Sequence, residues 1–74
     1  MNGELQVLVG INIRRFRQRL GWSQEELADR CSLHRTYIGG IERGERNITL
    51  ETLSVIAQAL NCTPTELMSK EAES

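Results

Sequence analysis

Residues 23–44 constrain this chain more than any other stretch, because they read as two short helices joined by a tight turn. Ser23 is followed three residues later by Glu26, the reciprocal arrangement of a capping box. Leu27, Ala28 and Cys31 then share one face at helical spacing, and Ser32 with Leu33 breaks the pattern. A second helix can start near His34. Its apolar positions Ile38 and Ile41 lie three apart, and Gly44 supplies the left-handed residue that ends it.

A helix, a turn of three or four residues and a second helix is the layout with which a protein enters the major groove of DNA. The first turn of the second helix presents Arg35, Thr36 and Tyr37. An arginine can donate two bonds to one guanine edge, and a threonine methyl can touch a thymine methyl. Gly39 and Gly40 are costly inside a helix, at roughly 1 kcal/mol each relative to alanine. Two explanations stay open: a bare backbone lets the helix sit close to DNA, or it eases packing of one helix on the other.

Charge supports the first impression once its distribution is considered. The net charge is −1 at neutral pH, which by itself argues against nucleic acid. From Arg14 to Arg46, however, eight arginines face five acidic residues, a net of +3, whereas residues 47–74 carry −3. A basic half coinciding with the two-helix stretch is what phosphate binding needs. Eight of the nine basic residues are arginine, the side chain suited to bidentate phosphate and base contacts.

The remaining residues supply helices around that centre. Residues 1–3 are expected to be a frayed end, and a first helix is expected over residues 4–20. Its inner face is Leu5, Val9, Ile13, Phe16 and Leu20; Gly10 interrupts it and Gly21 closes it. Trp22 is expected to pack half-buried at the turn. Beyond Gly44, Thr49 can cap a fourth helix whose face is Leu50, Leu53, Ala57 and Leu60. Thr63, Pro64 and Glu66 place cap, first-position proline and capping-box glutamate in register for a fifth. The expected helices are residues 4–20, 24–31, 35–43, 50–60 and 64–69, within one domain spanning 1–74, and the end from Lys70 is expected to be disordered. No apolar run approaches the roughly 18 residues of a membrane span and no signal-peptide pattern opens the chain, so a soluble cytoplasmic protein without membrane association is expected.

Catalysis finds little support. His34 is the only histidine and falls at the start of the second helix of the pair, where starting the helix or touching phosphate is its expected job. Cys31 and Cys62, even with His34, are too few for the usual four zinc ligands. Buried free thiols are expected, with no metal, no cofactor and no enzymatic activity.

With these residues in place, the chain resembles the phage-repressor-like, XRE-like helix-turn-helix family of Cro and the lambda-type repressors. The resemblance covers residues 8–68 and rests on S-Q-E-E-L-A at 23–28, the I-x-x-I-E-R-G run from Ile38 to Gly44, and A-x-A-L at 57–60. Within that family, the run from His34 to Leu50 is most similar to the controller proteins of restriction-modification systems. One departure is Ser32, where many relatives carry glycine.

The resemblance implies an all-α, five-helix lambda-repressor-like fold and a sequence-specific transcriptional regulator of double-stranded operator DNA. Carried over by position, Arg35, Thr36 and Tyr37 would read bases, with phosphate as an alternative for Tyr37. Gln24, Ser32, His34, Arg43, Arg46 and Asn47 would meet the backbone or minor groove. Arg17 and Glu42 would form a structural ion pair, and Val55, Leu67 and Met68 a homodimer interface. Two dimers on adjacent sites and RNA polymerase are further partners that this resemblance suggests. The competing functions are a phage-type repressor, an antitoxin-like partner of a co-encoded protein, or a module cut from a larger protein. The opening methionine and polar end weigh against the last.

Overall fold

The computed structural model describes residues 3–70 and contains five helices among them. These are α1 (Gly3–Arg19), α2 (Gln24–Cys31), α3 (Arg35–Glu42), α4 (Leu50–Ala59) and α5 (Pro64–Leu67). Of the start expected to be frayed over residues 1–3, Gly3 is instead the first residue of α1, and of the end expected to be disordered from Lys70, Lys70 is described; residues 1–2 and 71–74 lie outside the described residues.

The first four helices end with the same hydrogen-bonded stop. After α1, Gly21 N–H donates to Gln18 O at 3.0 Å and Trp22 N–H to Arg17 O at 3.1 Å. Equivalent pairs follow α2 at Ser32 and Leu33, α3 at Gly44 and Glu45, and α4 at Asn61 and Cys62. This paired closure satisfies carbonyls that a helix end otherwise leaves open, and it requires a left-handed residue. The four are Gly21 and Gly44, both at φ 75°, Ser32 at φ 56° and Asn61 at φ 59°. At the starts, the hydroxyls of Ser23, Thr49 and Thr63 accept from Glu26, Thr52 and Glu66 N–H. Only Thr63–Glu66 is reciprocal. The Ser23–Glu26 box is half made, because the Glu26 carboxylate turns to Arg30 four residues on, at 2.8 Å.

Val9, Ile13, Leu27, Ile38, Ile41, Leu53, Ile56 and Leu67 form the centre of the core, drawn from all five helices. Three apolar residues depart from expectation. Leu20 is 45% exposed, since α1 stops at Arg19 and the chain turns before the next helical position. Leu50, directly after the Thr49 cap, is 74% exposed, and Ile48 before the helix is buried instead. Leu67 is 0% exposed within one chain and cannot supply a dimer surface. It closes the core because the four-residue α5 has no other apolar side chain to turn inward before Met68.

Two inward residues of α1 fix where the other helices lie. A Cβ on Gly10 would strike the carbonyl oxygens of Ile41 and Glu42, so α1 and α3 cross backbone to backbone at that glycine. Asn12 is fully buried, and its Nδ2 donates to Leu67 O at 2.8 Å and Ser69 O at 2.9 Å. It thereby caps the end of α5, while its Oδ1 finds no partner among the described residues.

Candidate nucleic-acid interface

The exposed surface of α3 is held from behind by one ion pair. Glu42 is the last residue of α3 and its side chain is 2% exposed. Arg17 of α1 meets it twice, Nε to Oε2 at 2.7 Å and Nη2 to Oε1 at 2.9 Å. Its third nitrogen, Nη1, donates to the Trp22 carbonyl at 2.7 Å. One guanidinium thus joins α1, the turn before α2, and α3. The hydrogen bond to Glu42 raises the Arg17 pKa above its ordinary value, burial opposes that shift, and the opposite charge adds to it. Burial of such a pair is tolerable because its donors and acceptors are matched.

Gln24, the first residue of α2, is tied into the same site: its Nε2 donates to Glu42 Oε1 at 3.0 Å. One N–H is therefore committed inward, leaving the second N–H and the carbonyl oxygen for anything outside. Gln24, Arg35, Thr36, Gly39 and Arg43 together line a shallow hollow on the outer face. Arg35 and Thr36 occupy the first turn of α3 and are exposed. Among the described residues Arg35 has no hydrogen-bond or ion-pair partner. Tyr37 is half-buried against the core, and the Arg46 guanidinium lies 5.9 Å from its ring centroid. Arg43 directs Nε at Glu45 Oε1, 3.0 Å away, with both side chains exposed.

Ser32 stands exposed in the turn, its left-handed backbone closing α2. His34 takes the position before α3 with extended backbone, yet its side chain makes no capping bond. Asn47 is exposed in the loop before α4. The outer surface therefore collects Arg35, Thr36, Arg43 and Gln24 round one hollow. Arg46 lies beside Tyr37 and Gly40, and Arg17 points away into the protein. Val55 on α4 is 44% exposed and Met68 half-buried, on elements other than α3. Three relationships were hidden in the linear sequence. They are the tie from Gln24 to Glu42, the pairing of Arg43 with Glu45, and the contact of Arg46 with Gly40, where a Cβ would lie 2.7 Å from Arg46 Cγ. No residue periodicity links these positions, so no sequence signal would have found them.

Among the described residues no group of three His, Cys, Asp or Glu side chains could hold a metal ion. Burial pushes the Cys31 thiol up, and burial with the nearby Glu66 charge pushes Cys62 up to about 11. Both thiols stay protonated at neutral pH, where a thiol is a weak nucleophile and ligand. No helix of the described residues is long and apolar enough to cross a membrane.

The family model HTH_3, described as helix-turn-helix, matches residues 13–67. The chain is 43% identical over 68 residues to the control protein C.SmaI of Serratia marcescens, covering 92% of this chain and 81% of that one. Its fold matches the crystal structure of the restriction-modification controller protein C.AhdI from Aeromonas hydrophila with a TM-score of 0.82 at 42% identity, over 89% of this chain and 98% of that one. A TM-score of 0.84 at 36% identity relates it to the controller protein C.Esp1396I, solved as a tetramer in complex with its natural 35 base-pair operator, over 99% of this chain and 100% of that one.

Proposed function

The chain belongs to the helix-turn-helix family HTH_3, and on that premise we propose that it is a sequence-specific regulator of transcription that binds double-stranded operator DNA as a homodimer and controls a restriction-modification operon. The observation that carries this proposal is the first turn of α3. Arg35 and Thr36 stand exposed there, with Gln24 and Arg43 beside them round one hollow, on a helix locked from behind by Arg17 and Glu42. A helix so anchored can enter the major groove without ordering itself first. The named relatives are controller proteins, one of them solved on its operator as a tetramer, which supports the same assignment here.

Within it, Arg35 and Thr36 read base edges and Tyr37 contributes to that turn, while Gln24, Ser32, His34, Arg43, Arg46 and Asn47 hold the backbone or minor groove. Val55 and Met68 are the candidate dimer residues that stay accessible. The whole chain acts as one DNA-binding domain in the cytoplasm and is not an enzyme.

Selection of bound duplexes from a random pool tests this. Enrichment of a pseudo-palindrome with half-sites about 34–36 Å apart, one turn of DNA, is expected for a symmetric dimer. Sedimentation under the same conditions should show the dimer. A pool that stays unenriched while the protein remains folded would overturn the assignment.

A further inference from the structure

Gly39 and Gly40 fill two successive positions in the middle of α3, where alanine would make a more stable helix. Neither glycine meets another helix's backbone at close range. A Cβ on Gly39 would come within 3.1 Å of Arg43 Nη1 and 3.3 Å of Gln24 Oε1. A Cβ on Gly40 would lie 2.7 Å from Arg46 Cγ, 3.3 Å from its Nε and 3.5 Å from its Cδ. The three nearest neighbours of that absent methyl are thus consecutive atoms of one side chain. Gly40 is itself buried and Arg46 exposed, so the arginine stem lies across the bare backbone as its lid. Cγ sits one bond from Cβ, so Arg46 cannot yield to a methyl by swinging only its far end.

The path of the side chain follows from this contact. Tyr37 and Gly40 are three residues apart and share a helix face. Arg46 runs over Gly40 and carries its guanidinium back to the Tyr37 ring, 5.9 Å from the centroid. A cation at that distance from a phenol face is attracted by the ring. The arginine therefore does not trail from its loop; it is folded back along α3 toward the turn that holds Thr36.

We propose that Gly40 is a positioning residue for DNA binding: its missing side chain is the bed in which Arg46 lies, and together with Tyr37 it holds the Arg46 guanidinium at the DNA-facing surface of α3. This rests on the DNA-binding function proposed above. A guanidinium held in place loses less freedom when it pairs with a phosphate or base edge than one that must be ordered on contact.

A double-mutant cycle between Gly40→Ala and Arg46→Ala tests it, with wild-type protein and three variants titrated against the duplex enriched by selection and against a scrambled 30 base-pair duplex at low salt. Gly40→Ala should weaken binding about three- to tenfold in the wild-type background, within the range of coupling between residues in contact. In the Arg46→Ala background it should cost nothing. There the added methyl should instead raise Tm, because alanine is the better helix former once nothing lies above it. In the DNA-free protein, the Arg46 Nε–H resonance should move toward its solvent-exposed position in Gly40→Ala and in Tyr37→Leu.

Equal loss in both backgrounds would mean that Gly40 meets DNA directly or shapes α3 itself, and would overturn the proposal. So would an Arg46→Ala protein that binds both duplexes like wild type, since there would be no contact to position. A selection in which the folded wild-type protein enriches no duplex would sink the DNA-binding function instead. The Arg46 resonance would still decide separately whether the bed exists.

Discussion

The two faces of α3 are built by opposite means. The inner face buries Ile38, Ile41 and the Glu42 carboxylate, and there α3 touches α1 at Gly10 with no side chain between them. The outer face holds Arg35, Thr36 and Arg43 in the open, its glycines covered only by flexible polar side chains. Substitutions on the first side should act on folding and those on the second on recognition. The contrast shows how eight residues can serve both ends: helical periodicity separates them by direction rather than by position in the chain.

The sharpest test of that division is Arg17→Ala. Leaving the Glu42 charge buried and unpaired should cost about 3–5 kcal/mol of stability, measured by urea unfolding. A loss below about 1 kcal/mol would show that the inner face is held by apolar packing alone. Next comes Gly10→Ala. The new methyl must push α1 off the Ile41 and Glu42 carbonyls, and overpacking of that kind costs about 1–3 kcal/mol. An unchanged urea midpoint would mean that the two helices can separate without penalty.

On the outer face, Arg35→Ala should leave stability within about 0.5 kcal/mol of wild type. It should weaken specific binding by about 1–3 kcal/mol and relax selectivity at one or two base pairs. If cognate and scrambled duplexes lose affinity equally, Arg35 holds phosphate and Thr36 or Tyr37 must read the bases. Arg43→Ala should have the smallest effect, because Glu45 already offsets part of its charge. Binding to both duplexes should fall alike, and the salt slope should drop by about one unit. A change in sequence preference would move Arg43 into the reading group and blur the division within the outer face.

The inner face was the more legible of the two in the sequence. Val9 and Ile13 on α1, and Ile38 and Ile41 on α3, repeat at helical spacing because the core demands it of every turn. The three misplaced residues, Leu20, Leu50 and Leu67, all sit at helix ends, where the chain leaves helical geometry and periodicity stops predicting direction. Gly10 was visible as a poor helix former, but its reason belongs to Ile41 and Glu42, far along the chain. Asn12 carries no sequence signal of its role, since its use depends on where the last carbonyls of α5 fall. On the outer face, residue types and the resemblance suggested the candidates. Their mutual ties stayed hidden, because Gln24 with Glu42 and Gly40 with Arg46 are pairings that only the folded backbone creates.

Asn12 also says something about time. Its two bonds reach across 55 and 57 positions of sequence to Leu67 and Ser69. Synthesis proceeds from the N-terminus at about 5–20 residues per second, so α1 waits several seconds for the carbonyls it caps. Until Leu67 emerges, the core lacks one of its fully buried side chains and the Asn12 amide lacks the carbonyls it binds in the finished fold. Helix α3 is complete in sequence long before that, yet the core behind it closes late. The first turn of α3 is thus spelled well before the part of the core that closes last, an interval set by the sequence distance between Asn12 and Leu67.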